Sequence, residues 1–236
     1  MIAEEECTLI IPAYNEEKRI ERCLADISSF RGPIIFVCDG DDETPGIIRR
    51  YIDSQVADES GAKYPNITVL SFGERLGKGG GITAGMKAAD TEYIGYCDAD
   101  GATPISEMRR LFSEIETCDC AFGSRWLAAS KIEKSQSFNR KVQSRIFNLC
   151  VKLILGIPFK DTQCGAKVFK RTAVEALLPR VRSSGFAFDA EILYILYRGG
   201  FMIKEVPILW SEMGGSHVGI ADALKMLVNL IKIRLA

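Results

Sequence analysis

Two aspartates separated by one residue follow a short apolar stretch near the middle of the chain. Asp98 and Asp100 come after residues 93–97 and just before Gly101. In a β-strand, residues i and i+2 point to the same side, so both carboxylates can face one site with the small Ala99 between them. Hard oxygen ligands at this spacing suit Mg²⁺ or Mn²⁺ bound to the phosphates of a nucleotide. An isolated Asp-x-Asp is more often a turn, so the pair needs support from other residues.

A glycine-rich segment precedes the two aspartates in the chain. Residues 75–81 contain four glycines and one lysine, Lys78, and lead into a helical pattern. The backbone amides of such a segment can approach a diphosphate, and the lysine supplies positive charge. The spacing is neither that of a Walker A loop nor that of the dinucleotide fingerprint. Taken alone, the segment fits a flexible surface loop equally well.

The elements that must position these residues alternate regularly. The apolar runs that predict strands are residues 7–11, 34–38, 67–71, 93–97 and 120–123. The helical patterns between them are residues 16–28, 44–51, 79–88 and 104–115. This order predicts an α/β protein with a mainly parallel sheet flanked by helices on both faces. Ligands bind such sheets beyond the carboxyl ends of the strands. The polar segments that fall there are residues 12–16, 39–42, 75–81 and 98–101.

The second half of the chain has a different pattern. A long helix with mixed basic and apolar residues is predicted at residues 137–155 and ends at Gly156. The later elements are a strand at 165–170, a helix at 188–197, a strand at 203–209 and an amphipathic helix at about 220–235. The last helix is too short and too charged to span a bilayer unaided. It is interpreted either as docked on the core or as lying in the plane of a membrane. The polar segment 130–136 is predicted to be a mobile lid.

Composition narrows the class of protein. The chain has 236 residues with 30 basic and 31 acidic side chains, which predicts one globular domain and gives no reason to expect nucleic-acid binding. The acidic N-terminus has no room for a secretion signal. Eight scattered cysteines with a single histidine indicate reduced thiols rather than disulfides or a zinc site. We therefore expect a cytoplasmic protein.

Together, these motifs resemble those of the glycosyltransferases of family 2, which have the GT-A fold. The opening signature is residues 10–16, the acidic turn is Asp39, and the metal motif is Asp98-Ala99-Asp100. Within this family the chain is similar to polyprenyl-phosphate sugar synthases, particularly the dolichyl-phosphate glucosyltransferases and mannose synthases. The further motifs that carry this resemblance are residues 77–80, 98–103, 123–125, 161–165 and 186–191. The resemblance extends from about residue 7 to residue 217.

The resemblance implies roles for individual residues. Those assigned to the nucleotide sugar are Pro12, Ala13, Tyr14, Glu16, Asp39, Gly77, Lys78 and Ala99. Asp98 and Asp100 would hold Mg²⁺ or Mn²⁺ on the diphosphate. The acceptor phosphate is assigned to Arg125, Arg140 and Ser144, the last two of which share a helix face. The remaining substrate-binding candidates are Asp161, Gln163, Asp189 and His217, which stands where relatives carry lysine.

The resemblance also implies a reaction. The expected enzyme inverts configuration while moving a hexose, with glucose favoured, from UDP-glucose or GDP-mannose to a polyprenyl phosphate at the cytosolic face of a membrane. A phosphate acceptor is already ionised and needs no general base. A hydroxyl acceptor would need one, and Asp161 and Asp189 are then the candidates, with a cap or structural ion pair as their alternative role.

Domain organisation follows from the same expectation. Residues 1–123 would bind the nucleotide sugar, residues 124–219 the acceptor, and residues 220–236 would form the amphipathic helix. Other interpretations stay open: a soluble family member with a hydroxyl acceptor, a sugar-1-phosphate nucleotidyltransferase, or a non-catalytic nucleotide-binding module. The nucleotidyltransferase is disfavoured because such enzymes place their glycine-rich loop directly after the first strand, where this chain has residues 12–16.

Overall fold

The computed structural model describes residues 2–55, 65–134, 138–213 and 220–235. Helices and strands alternate through most of these ranges. The strands are β1 (Cys7–Ala13), β2 (Pro33–Cys38), β3 (Asn66–Ser71), β4 (Tyr93–Tyr96), β5 (Cys120–Ser124), β6 (Lys131–Lys134), β7 (Lys167–Lys170), β8 (Ile203–Pro207) and β9 (Leu209–Ser211). The helices are α1 (Ile20–Ile27), α2 (Thr44–Ser54), α3 (Gly77–Ala88), α4 (Ile105–Glu114), α5 (Phe138–Leu155), α6 (Arg171–Leu177), α7 (Phe188–Arg198) and α8 (Ile220–Leu235).

The central sheet has seven strands in the order β3-β2-β1-β4-β7-β5-β8. Strand β7 runs antiparallel to β4 and β5, and the other neighbouring pairs are parallel. The predicted mainly parallel α/β sheet is therefore confirmed. Strand order reverses at β1, which lies between β2 and β4. Such a reversal opens a crevice at the carboxyl ends of the strands, and the turns after β1 and β4 meet there.

The sheet separates two apolar cores, which explains why its strands are nearly continuous apolar runs. In β1, Leu9 and Ile11 pack into one core, and Ile10 packs into the other. Helices α1, α2 and α4 cover the first face, and α3, α5, α6, α7 and α8 cover the second. All eight cysteines are free thiols, as predicted, and only Cys150 among them is not fully buried.

The structure corrects several of the predicted elements. Part of the predicted lid, Lys131–Lys134, is strand β6, which pairs in parallel with β9 and begins with a 3.0 Å bond from the Lys131 amide to the Ile208 carbonyl. Four residues are too few to show a strand period. Helix α6 was not predicted, and α3 begins two residues earlier than expected, at Gly77. None of the described helices is long and apolar enough to cross a membrane.

Candidate functional site

The Asp98–Asp100 pair lies at the carboxyl edge of the sheet, just beyond β4. The Cys97 amide still donates to the Ile10 carbonyl of β1 at 3.1 Å, so the pair starts where sheet pairing ends. Asp100 Oδ1 accepts a 2.9 Å bond from the Ala102 amide, and Gly101 has a positive φ of 72° that closes the turn. These contacts hold both carboxylates beside the crevice, as the sequence predicted.

The electrostatics of this pair suit a divalent cation. Burial raises the pKa of Asp100, and the negative charge of Asp98 raises it further. In the described ranges, no group of three or more His, Cys, Asp or Glu side chains could by itself hold a metal ion. A cation held by Asp98 and Asp100 would therefore take its other ligands from phosphate oxygens and water, as Mg²⁺ commonly does at nucleotide sites.

A cleft of about 310 Å³ lies next to the carboxylate pair. The predicted nucleotide-sugar and metal residues that line it are Pro12, Ala13, Tyr14, Glu16, Asp39, Gly77, Lys78, Asp98, Ala99 and Asp100. The lining residues that sequence reasoning did not assign are Arg19, Arg75 and Phe186. Residues that are far apart in the sequence but follow parallel strands therefore line one cavity.

Two of the unassigned residues add positive charge to the cleft. The Arg75 guanidinium lies 4.0 Å from the centre of the Tyr14 ring, and Arg19 binds both carboxylate oxygens of Glu16 at 2.7 and 2.8 Å. Burial raises the pKa of Glu16 despite this pairing. The i,i+3 spacing from Glu16 was a signal for Arg19. Arg75 had none, since its aromatic partner is remote in sequence.

The turns after β1 and β2 are tied together by Asn15. Its φ is 52°, in the left-handed region that asparagine tolerates better than most residues. The Asn15 side chain donates to Asp41 Oδ1 and accepts from the Asp41 amide, both at 3.1 Å. The turns after β1 and β2 are therefore joined directly by two hydrogen bonds.

Asp39 connects the β2 turn to helix α3. Its Oδ2 accepts bonds from the Leu76 amide at 2.9 Å and the Gly77 amide at 2.8 Å. A carboxylate at a helix N-terminus satisfies unpaired amides and offsets the helix dipole. Asp39 therefore lines the cleft and also fixes the start of the helix that carries Lys78.

The backbone amides of the glycine-rich segment do not form the diphosphate site that the sequence suggested. Besides the two amides bound to Asp39, the Gly79 and Gly80 amides donate to the Ser184 carbonyl at 2.8 and 3.3 Å. A methyl group at Gly79 would come within 2.7 Å of Phe188. These glycines therefore allow close packing of α3 against the segment before α7, and Lys78 supplies the group that faces the site.

Lys78 connects the carboxylate pair to a buried charge network. Its Nζ lies 2.8 Å from Asp98 Oδ1 and 3.1 Å from Asp189 Oδ2. Asp189 also accepts bonds of 2.6 Å from both Lys167 Nζ and the Tyr96 hydroxyl. Burial alone would raise the pKa of Asp189, but Lys167 and Lys78 outweigh it and lower the pKa to about 2. Asp189 is thus held as an anion.

Arg125 and Asp161, both candidates from the sequence, form a second buried pair. Arg125 Nε and Nη2 bind the two carboxylate oxygens at 2.7 and 2.8 Å, and the Arg125 amide adds a 2.9 Å bond. Burial lowers the pKa of Arg125, but Asp161 more than offsets this and raises it overall. Glu205 on β8 accepts the Lys160 and Asp161 amides, which fixes the loop that carries Asp161.

Helix α5 is anchored to this loop by Asn148. Its Oδ1 accepts the Thr162 amide at 3.0 Å and the Thr162 hydroxyl at 2.9 Å, and its Nδ2 donates to the Ser144 carbonyl at 3.0 Å. Ser144 is half-buried one turn before Asn148. The Arg140 backbone belongs to the same helix, while its side chain and the whole of His217 lie outside the described residues.

Two buried donors near this loop have no hydrogen-bond partner among the described residues. They are Gln163 Nε2 and Trp126 Nε1. Buried donors are rarely left unpaired, so each is a candidate to bind a ligand atom. Gln163 was predicted from the sequence. Trp126 was missed, and its only sequence signal was its position directly after Arg125.

The acceptor-side loop reaches the carboxylate pair at Gly165. A methyl group built there would collide with the Asp98 carboxylate. Lys167, just beyond, donates to the Thr162 carbonyl at 3.1 Å and the Cys164 carbonyl at 2.5 Å. Gly165 therefore brings the loop that carries Asp161 and Gln163 next to Asp98, which lines the cleft.

Comparisons with known proteins agree with this geometry. Residues 8–178 match the family model described as glycosyl transferase family 2. A dolichyl-phosphate beta-glucosyltransferase of Trichomonas vaginalis is 32% identical over 244 residues, 96% of this chain and 70% of that protein. The dolichyl-phosphate beta-glucosyltransferase of Saccharomyces cerevisiae is 32% identical over 251 residues, 97% of this chain and 74% of that protein.

Solved structures share the fold. Glucosyl-3-phosphoglycerate synthase from Mycobacterium tuberculosis in complex with UDP matches with a TM-score of 0.70 at 14% identity, covering 97% of this chain and 79% of that one. The same synthase with Mn²⁺, UDP and glucosyl-3-phosphoglycerate matches with a TM-score of 0.68 at 15% identity, covering 97% and 78%.

The fold and the site therefore define a nucleotide-sugar transferase of the GT-A type. The chain belongs to glycosyl transferase family 2, which confirms the family predicted from the sequence motifs.

Proposed function

We propose that this protein transfers a hexose, with glucose favoured, from a nucleotide sugar to a polyprenyl phosphate such as dolichyl phosphate. The two relatives above carry the name dolichyl-phosphate beta-glucosyltransferase and cover nearly the whole chain, which supports the acceptor and the sugar. The cleft beside the Asp98–Asp100 pair is where the nucleotide diphosphate would lie, with Mg²⁺ or Mn²⁺ between it and the carboxylates.

The observation that carries the proposal is the state of the two buried carboxylates that were candidate bases. Asp161 accepts three hydrogen bonds from Arg125, and Asp189 binds two lysines and a tyrosine hydroxyl. Asp189 is a poor proton acceptor because its lowered pKa keeps it ionised, and Asp161 is fully buried with both oxygens bound to Arg125, so it cannot reach a hydroxyl. A hydroxyl nucleophile needs a base, whereas a phosphate oxygen is already an anion. The arrangement thus favours the phosphate acceptor.

The chemistry then depends on placing charge. A lipid phosphate oxygen attacks the anomeric carbon, the bond from that carbon to the diphosphate oxygen breaks, and the nucleoside diphosphate leaves with the electron pair. The divalent cation would supply positive charge at this leaving group. Lys78 is the protein cation nearest to the carboxylate pair and would stabilise the same developing charge after exchanging one of its carboxylate partners for phosphate.

The acceptor side would position the nucleophile. Arg125 is aligned by Asp161. Gln163 Nε2 and Trp126 Nε1, which have no partner among the described residues, would donate to phosphate or sugar oxygens. Ser144, with Arg140 one turn earlier on α5, would complete the phosphate site. Since a polyprenyl phosphate resides in a bilayer, we place the protein at the cytosolic face of a membrane, as a peripheral protein.

The test is transfer of radiolabelled sugar from UDP-glucose and, separately, GDP-mannose into dolichyl phosphate with Mg²⁺. The matched acceptor control is dolichol, which has the same chain and a free hydroxyl. We expect label in dolichyl phosphate and none in dolichol, and UDP-glucose as the better donor. Equal labelling of dolichol would overturn the phosphate-acceptor mechanism.

The carboxylate pair is tested in the same assay with Asp100→Asn. Removing one charge from the cation site should reduce transfer by roughly a thousandfold. The control is Asp90→Asn, since Asp90 is exposed and outside the cleft. Similar activity in the two variants would remove the pair from the mechanism.

A further inference from the structure

Two neighbouring helices present apolar stripes to solvent. On α5 the stripe is Val142, Ile146, Leu149 and Leu153, whose exposed fractions run from 40% to 75%. On α8 it is Val228, Ile231 and Leu235, exposed by 48% to 81%. The spacings of three and four residues place each set on one helix face. We call these seven residues the α5–α8 surface.

These helices also bury other faces. Val151 and Leu155 of α5 and Leu230 and Ile233 of α8 belong to the core on the second face of the sheet. The two helices contact each other as well. Helix α8 is therefore docked on the core, as one interpretation of the sequence held, and still has a second apolar stripe that the fold leaves uncovered. Exposed apolar area of this kind, on two helices that contact each other, marks an interaction site.

Both helices carry more positive than negative charge. Helix α5 contains four basic residues and no acidic one, and α8 contains three basic residues and one acidic one. The whole chain has 30 basic and 31 acidic residues, so this excess is local. Lys152 and Lys232 are exposed beside the stripes. Aliphatic side chains flanked by cations match the interface of a membrane with anionic lipids.

We propose that the α5–α8 surface docks this protein on an anionic lipid membrane, with the aliphatic stripes in the interface and the flanking lysines on lipid headgroups. The proposal rests on the proposed function for its purpose, because a membrane-bound lipid phosphate must reach the site. The surface is suitably placed. Arg145 on α5 stacks 3.9 Å from the Trp126 ring centre, adjacent to Arg125, and Ser144 lies on the inner side of the same helix.

A second copy of the chain is a poorer occupant. Pairing two such surfaces would bring the cation excess of one copy against that of the other, and like charges across an interface oppose association. A membrane offers the opposite charge together with an apolar layer.

The experiment is co-sedimentation with vesicles in the absence of sugar donor and lipid phosphate. Vesicles of phosphatidylcholine with phosphatidylserine are compared with pure phosphatidylcholine. The variant is Ile146→Gln with Leu153→Gln, and the matched control is Met202→Gln. Met202 is 62% exposed and lies outside both helices, just before β8, where its carbonyl accepts the first amide of β5.

We expect wild type and the Met202 variant to bind the anionic vesicles. The double variant should bind roughly tenfold or more weakly. Lys152→Gln should weaken binding by about fivefold, an effect that high salt removes. Wild-type protein that stays in the supernatant, or a double variant that binds like the control, would overturn the proposal. So would a dimer in light scattering that the double variant abolishes.

Transfer assays separate this proposal from the proposed function. The double variant should keep transfer to a short, water-soluble polyprenyl phosphate and lose transfer to dolichyl phosphate in vesicles. If wild type binds the vesicles but transfers no sugar, the proposed function fails and the docking surface stands. If it transfers sugar without binding anionic vesicles, the docking surface alone fails.

Discussion

The proposed donor and acceptor sides of the site are built on different physical principles. On the donor side, turns after neighbouring parallel strands carry polar residues into an open cleft, and Asp98 is 40% exposed there. On the acceptor side, Arg125 is 12% exposed and closes on a fully buried Asp161. Sheet topology brings the strand ends of the first together, and hydrogen bonds such as those of Asp39 to helix α3 then fix them. The second needs a buried charge network that fixes the positions of its groups before any ligand binds.

The largest effect should come from breaking that network. Asp161→Asn leaves the buried Arg125 guanidinium without its charge partner, so we expect a loss of about 3–5 kcal/mol in the free energy of unfolding. Urea denaturation measures it. The control is Glu114→Gln, which breaks the exposed Lys204–Glu114 pair and should cost much less. Equal costs for the two variants would contradict a buried network on the acceptor side.

The donor side should respond in activity instead. Lys78→Met removes the cation nearest to the carboxylate pair, and we expect kcat/KM for the nucleotide sugar to fall about a hundredfold. Lys204→Met removes an exposed lysine at the opposite edge of the sheet and should leave the rate unchanged. A fall of less than threefold for Lys78→Met would mean that this lysine serves only the Asp189 ion pair.

The same contrast explains how far sequence could predict the site. The donor residues were predictable because strand ends of a parallel sheet meet at one edge, whatever lies between them in the chain. Their partners were not. Asp39 was assigned to the nucleotide, yet its carboxylate also binds the amides of Leu76 and Gly77, which are 37 and 38 residues away.

On the acceptor side, sequence predicted residue types but not their pairing. Arg125 was named as a phosphate ligand and Asp161 as a candidate base or structural ion-pair residue, but nothing in the sequence indicates that these two residues, 36 positions apart, pair with each other. The short β6 strand was missed for a related reason. It exists through pairing with β9, which is remote in sequence, and not through its own period.

Asp189 binds residues of both sides of the site, and its contribution to stability should depend on pH. It binds Lys78 of the donor side and Lys167, whose ammonium group also holds the acceptor loop. With its pKa lowered from 3.8 to about 2, its ionised form stabilises the fold above pH 3.8, and this stabilisation disappears as the pH falls toward 2.

The corresponding measurement compares unfolding free energies of wild type and Asp189→Asn between pH 7 and pH 2. The difference between them should shrink by about 2 kcal/mol over the acid part of this range. Asp90→Asn, at an exposed position, reports the background. If the difference in unfolding free energy does not change with pH, Asp189 does not link the two sides as a charged group.

The smallest predicted effect concerns how the acceptor helix is held. Asn148→Leu removes the acceptor for the Thr162 amide and hydroxyl, so we expect about 1–2 kcal/mol of lost stability and a KM for the lipid phosphate that rises about tenfold. Binding of the nucleotide sugar, measured by calorimetry, should stay unchanged, because Asn148 does not line the donor cleft.

Two further variants show whether Asn148 acts through the loop. Gln143→Leu makes the same kind of change at an exposed position of α5 and should alter neither quantity. Thr162→Val removes the hydroxyl from the other end of the contact, and the effects of Asn148→Leu and Thr162→Val on KM should then be less than additive, since both break one link. Fully additive effects, or a loss of donor binding in Asn148→Leu, would mean that the acceptor helix and the loop position the substrate independently. The acceptor side would then lack the linked network of contacts that distinguishes it from the donor side.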